Sequence, residues 1–227
     1  MPTNAVQVDA IQDLSNWKAE YDTGTSGSSG GATGASSLVE TPSMSGTARQ
    51  FSMDYTYYGG ERFDVSFAHD TVSKHFLYDV WVYLDSSVSS VANIEMDMNA
   101  TMPNGQTVIF GFQCDGWSNT WDYTTNAGTP EKPVDRWLKS DQACNIQDWT
   151  QNTWHHVQVA YSRDDAGNAT YQSVWLDDVE QDINQTTPSA FALGWGSSLV
   201  TNLQLDGRDS TTGSSTIYLD DLTVYRW

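Results

Sequence analysis

The chain has 227 residues, with ten Lys and Arg against 29 Asp and Glu, a formal net charge of −19 at pH 7. That imbalance argues against nucleic acid and anionic membranes as partners, because both call for a basic footprint. No stretch approaches the roughly 18 consecutive apolar residues of a membrane-spanning helix, while ten Trp and eleven Tyr supply many flat rings for a core and for ligand surfaces.

Met1-Pro2-Thr3 reads as a start set in front of a mature fragment, with no signal peptide remaining. The expected setting is therefore extracellular, as a secreted monomer or as part of a larger secreted multidomain protein. Trp17 to Asp22 predicts a strand. Thr23 to Ser37 is a run of Gly, Ser, Thr and Ala with little to bury, and it reads as a flexible surface loop (23–37) within a single domain over 1–227. From residue 48 onward, alternating runs separated by Gly, Asn, Asp and Ser predict strands over 49–57, 61–67, 76–84, 93–101, 107–115, 154–162, 170–176, 199–206 and 216–225. Helical periodicity is found nowhere over a useful length. Such a succession predicts an all-β antiparallel sandwich or barrel.

Alternation also assigns faces. In Val91 to Asn99, Ile94, Met96 and Met98 point one way, and Glu95, Asp97 and Asn99 the other. Three polar acceptors in a row on one face suggest a cleft that holds something polar. The same argument turns Arg62, Asp64, Trp81 and Tyr83 outward on their strands, and likewise Gln113, His156, Gln158, Gln204 and Asp206. If these strands share a sheet, its open face is a polar groove with aromatic walls, rich in carboxylates, amides and histidine. His155 and His156 are adjacent on a strand and so face opposite ways, which argues against their sharing a metal ion.

Cys114 and Cys144 are compatible with one disulfide closing a loop of about 30 residues, worth ~3 kcal/mol, or with two buried thiols. The segment between them holds Trp117, Trp121, Tyr123 and Trp137, reads as a long tethered loop, and suits stacking on the apolar faces of sugar rings. The excess of carboxylates also suggests calcium, which takes several oxygen ligands.

The run Trp154-His155-His156-Val157-Gln158-Val159-Ala160-Tyr161, the turn at Asp164 to Asn168 and Val174 to Glu180 together resemble a hairpin of laminin-G-type and concanavalin A-like jelly rolls. Ile217 to Tyr225 is similar to the closing strand of that superfamily. The resemblance implies an antiparallel jelly-roll sandwich and a polysaccharide or oligosaccharide ligand. It also places a structural Ca²⁺ at Asp220, with Glu20 or Asp22 as partner. Glu95-Met96-Asp97-Met98-Asn99 resembles the central strand of laminarinase-type retaining glucanases. Carried over by position, Glu95 is the nucleophile and Asp97 the residue that tunes it, as in an endo-glycoside hydrolase. Asn99 or Ala100 stands where the acid is expected, so a proton would have to come from Asp206, Asp64 or His156. A polysaccharide lyase reading draws instead on Arg62, Gln113, His156 and Tyr83.

Overall fold

Every run of clean alternation becomes a strand, because a pleated chain with one apolar face must bury that face against another layer. The computed structural model describes residues 1–22 and 30–227, and among them the strands form two antiparallel sheets packed as a sandwich. Along the first sheet run β14 (Val179–Pro188), β13 (Asn168–Leu176), β12 (Thr153–Arg163), β6 (His75–Leu84), β17 (Thr212–Arg226), β4 (Ala48–Thr56) and β3 (Gly31–Val39). A short β1 (Val6–Val8) pairs with β17. Along the second run β11 (Asp135–Ala143), β10 (Thr120–Asn126), β9 (Phe112–Asp115), β7 (Val91–Thr101), β16 (Leu199–Gly207), β5 (Gly60–Ala68) and β2 (Lys18–Asp22). Beside β7 lies β8 (Thr107–Phe110), which pairs with β15 (Ala190–Phe191). Among the described residues, no helix is long and apolar enough to cross a membrane.

Between the sheets lies one cluster of buried side chains. Val80, Val82, Val157 and Val159 face it from the first sheet, and Ile94, Met96, Met98, Leu203 and Leu205 from the second. Tyr161 crosses the core and donates its hydroxyl to the Met96 carbonyl at 3.2 Å. Phe112 stacks on Trp121 at 5.1 Å with the planes 9° apart. The underside of the β7–β9–β10 region is thus packed with rings, which fixes the face above it.

Two stretches differ from expectation. Residues 23–29 of the expected 23–37 loop lie outside the described residues, but Gly31–Val39 is a strand paired along its length with β4. Its small side chains serve close packing: a Cβ on Gly34 would sit 2.4 Å from Glu61 Cγ and 2.6 Å from Phe63 Cζ. We expect Gly34→Leu to cost roughly 1–3 kcal/mol by overpacking, read as a lower urea midpoint. Ser37→Val, exposed on the same strand, should leave the midpoint within experimental error; equal midpoints for both variants would refute the packing argument. The expected long loop between the cysteines is, second, mostly the β10–β11 hairpin. Its ends are tied by the Cys114–Cys144 disulfide, with Cα atoms 5.3 Å apart.

Candidate functional site

The outer face of the second sheet forms a cleft of about 1160 Å³. Its floor comes from β7, β9 and β16. These are neighbours in the order β9–β7–β16, so their outward residues make contiguous rows: Gln204 lies opposite Glu95, Asn202 opposite Asp97, and Gln113 opposite Glu95 on the other side. Asn93 Nδ2 donates to Gln113 Oε1 at 2.7 Å and to Asp206 Oδ2 at 2.8 Å. Gln204 Nε2 donates to the other Asp206 oxygen at 3.3 Å. Asp97 accepts from the Phe112 backbone N–H at 3.0 Å and from Asn202 Nδ2 at 3.1 Å. Asn99 Nδ2 donates to Asn202 Oδ1 at 3.1 Å. Thus the floor's amide donors are largely spent on one another. Asn99 Oδ1 is left buried without a hydrogen-bond partner, in a residue only 4% exposed.

Burial governs the acid chemistry here. Removing Glu95 from water, with Asp97 and Asp206 beside it, holds its carboxyl well above the usual carboxylate range. Burial pushes Asp97 up to about 6, against hydrogen bonds from Glu95, Phe112 and Asn202 that pull it down. Burial likewise takes Asp206 up to about 6 despite its bonds from Asn93 and Gln204. Burial and the neighbouring Asp97 both disfavour charge on Glu95, so the two carboxyls titrate as a pair.

Three indoles stand around this floor. Trp117 is 41% exposed, Trp137 37% and Trp195 41%. Trp117 follows β9 in a turn held by Asp115, whose carboxylate accepts from the Trp117 and Ser118 N–H groups at 3.0 Å each. Trp137 projects from β11. Trp195 sits in the segment between β15 and β16, where Thr101 Oγ1 donates to the Gly196 carbonyl at 2.9 Å. Arg62 lines the opposite wall from β5 and is paired with Glu20 at 2.6 Å and Asp22 at 3.8 Å.

The structure therefore brings Glu95, Asp97, Asn99, Gln113, Trp117, Gln204, Asp206, Arg62 and Asp64 to one cleft. It does not bring the rest. Trp81, Tyr83, His156 and Gln158 lie on β6 and β12, on the outward face of the first sheet, away from the groove. There Trp81 stacks on His156 at 4.5 Å, and Asp79 accepts from His156 Nε2 at 2.7 Å and Gln158 Nε2 at 2.6 Å. Alternation says whether a side chain points in or out, and both sheets point inward to the same core. It cannot say which sheet a strand joins. The lyase set is split accordingly, and His156 is not available as an acid for Glu95. Trp121 faces inward and is fully buried on Phe112, so it is a core residue rather than a wall.

The expected calcium ligands are also separated. Glu20 and Asp22 line the groove on β2, while Asp220 lies on β17 of the other sheet. Asp220 is fully buried and accepts from Ser43 Oγ, Met44 N, Ser45 N, Ser45 Oγ and Asp221 N at 2.6–3.1 Å, and from Gln12 Nε2 at 3.5 Å. Among the described residues, no group of three His, Cys, Asp or Glu side chains is placed to hold a metal ion.

No protein-family model and no curated sequence matches the chain. Solved structures do. Arcelin-5, a lectin-like defense protein from Phaseolus vulgaris, superposes with a TM-score of 0.50 at 11% identity, covering 98% of both chains. The alginate lyase vAL-1 from a Chlorella virus gives 0.49 at 7% identity over 88% of this chain and 94% of its own. A structure described under carbohydrate-binding modules of the β-sandwich superfamily gives 0.48 at 10% identity; 93% of this chain spans 57% of that one. The shared fold is a two-sheet antiparallel β-sandwich. At these identities the likeness is one of architecture, and the groove's residues carry whatever is said of its ligand.

Proposed function

We propose that the groove binds a polysaccharide or oligosaccharide, with sugar rings laid against Trp117, Trp137 and Trp195 and their hydroxyls over the Glu95–Asp97–Asn99 row. The observation that carries this reading is the pairing of three part-exposed indoles with a floor of buried acceptors in one cleft. Sugars are amphipathic in the same way: apolar C–H faces suit indoles, and equatorial hydroxyls donate to carboxylates and amide oxygens. The disulfide, which persists in oxidising compartments, supports a secreted protein working on extracellular glycans.

Binding is favoured over cleavage because position 99 is an amide already bonded to Asn202, and Asp206, the other acid on the floor beside Glu95, has its two oxygens held by Asn93 and Gln204. The amide cannot deliver a proton to a leaving group. A reducing-end assay and an assay for 235-nm absorbance across plant, microbial and algal polysaccharides test this choice: release of either product, abolished in Glu95→Gln, would make the protein an enzyme.

Trp117→Ala and Trp195→Ala are each expected to weaken glycan retention by 5- to 100-fold, about 1–3 kcal/mol, without altering the far-UV circular dichroism. Affinity gel electrophoresis against the same panel measures it. Undiminished retention in both variants would move the binding site off this face.

A further inference from the structure

Eleven ionisable side chains of the described residues line the cleft, and among these only Lys18 and Arg62 are basic. Arg62 is already engaged by Glu20 at 2.6 Å. The acids are Glu20, Asp22, Asp64, Glu95, Asp97, Asp115, Asp122, Asp135 and Asp206. Many of these carboxylates have donors of their own, and acidity alone would describe a solvated face. The floor adds something independent: Asn99, 4% exposed and lining the cleft, has an Oδ1 that accepts from no donor among the described residues, while its own Nδ2 is spent on Asn202. The site is short of hydrogens, and a neutral ligand whose hydroxyls both give and take would not correct its charge.

We propose that the glycan taken by this groove carries free amino groups, a chain of amino sugars whose ammonium nitrogens sit over the Glu95–Asp97–Asn99 row and whose rings lie against the three indoles. The inference rests on the groove being a glycan site, as argued above. An ammonium group has three donors and no acceptor, so it adds hydrogens where they are lacking. Its bonds to carboxylates are charge-assisted, and it also gains over an indole face. Uronate-bearing chains meet like charge along the whole cleft and are rejected. The buried acids, reluctant to ionise on their own, are drawn to the charged form by a cation within a few ångströms.

The test uses short glucosamine oligomers, four to six sugars long, against the same oligomers fully N-acetylated, neutral glucan oligomers and oligouronates, by isothermal titration calorimetry on the full chain. The amine form should bind at least tenfold more tightly than its N-acetylated counterpart. That preference should fall at least fivefold in Glu95→Gln and affinity should fall in Trp117→Ala, while Asp165→Asn, an exposed acid 80% open on its side chain, behaves as wild type. Equal or tighter binding of the N-acetylated or neutral oligomers would overturn the amine inference and leave the glycan groove standing. So would oligouronates binding most tightly, or Asp165→Asn losing as much as Glu95→Gln, which would reveal general attraction to a chain of charge −19. Failure of every oligomer to bind would overturn the groove reading itself.

Discussion

Asp220→Ala is expected to lower the stability of the fold by roughly 3–5 kcal/mol, the scale for stripping a buried charge from its partners. The carboxylate has no exposed surface and gathers hydrogens from Ser43, Met44, Ser45 and Asp221, with Gln12 alongside. These donors come from the segment before β4 and from β17 itself, so the side chain ties that segment to a central strand. Deleting it takes the common acceptor from donors on Ser43, Met44, Ser45 and Asp221 and from the buried Gln12 amide. Asp220→Asn keeps one acceptor oxygen but turns an NH₂ toward donors, and should fall between the two. Burial alone would raise this carboxyl; bonds from Ser45, Met44 and Ser43 bring it below its ordinary value. A group of that kind gives stability that is present above about pH 4 and lost as pH falls below it. Urea denaturation at pH 7 measures the effect, and a loss under 1 kcal/mol for Asp220→Ala would show the cage to be slack. Repeating the melts with EDTA distinguishes this cage from a calcium site: a drop of several degrees on chelation would place a cation among these oxygens.

The groove imposes the opposite pH dependence. Asp97 and Asp206 are raised to about 6, and Glu95 well above its ordinary value, chiefly by burial. In each case the folded state holds a proton that the unfolded chain releases near pH 4, so stability is greatest below that point and declines as pH rises through 6. For Asp206, moving from 3.8 to about 6 corresponds to about 3 kcal/mol lost by pH 8. The melting temperature at pH 5 should therefore exceed that at pH 8 by roughly 5–10 °C. Below pH 4 the lowered carboxyls, Asp70, Asp164 and Asp220, bring it down again. Glu95→Gln copies the protonated acid and can still donate to Asp97, so it should raise the melting temperature at pH 8 by several degrees and leave pH 5 nearly unchanged. No gain at pH 8 would mean that Glu95 ionises freely. The same substitution is expected to weaken ligand binding, which would make the acid row a site kept at the expense of stability.

How much of this was legible in the sequence differs by residue. The β7 face could be read directly, because Ile94, Met96 and Met98 alternate with Glu95, Asp97 and Asn99 and the core accepts only the apolar set. Membership of a sheet could not: His156 and Gln158 alternate just as Gln204 and Asp206 do, yet long-range pairing puts β12 beside β6 and β16 beside β7. Gly31–Val39 was hidden because its composition follows from tight packing over Phe63, a tertiary demand with the local signature of a loop. Trp195 was missed for a related reason. It stands alone in Gly194-Trp195-Gly196, off any strand, and only its large ring among small neighbours hinted at a purpose.

The pairing of β1 with β17 has an architectural consequence. Val6 lies opposite Arg226, so the two ends of the chain emerge side by side from the sheet that faces away from the groove. The two partners are far apart in sequence, so this pairing closes a loop that encompasses almost the whole fold, and its entropy cost is met only once the sheets between them have assembled. β1 and the last residues of β17 are then the parts of the first sheet that form last and open first.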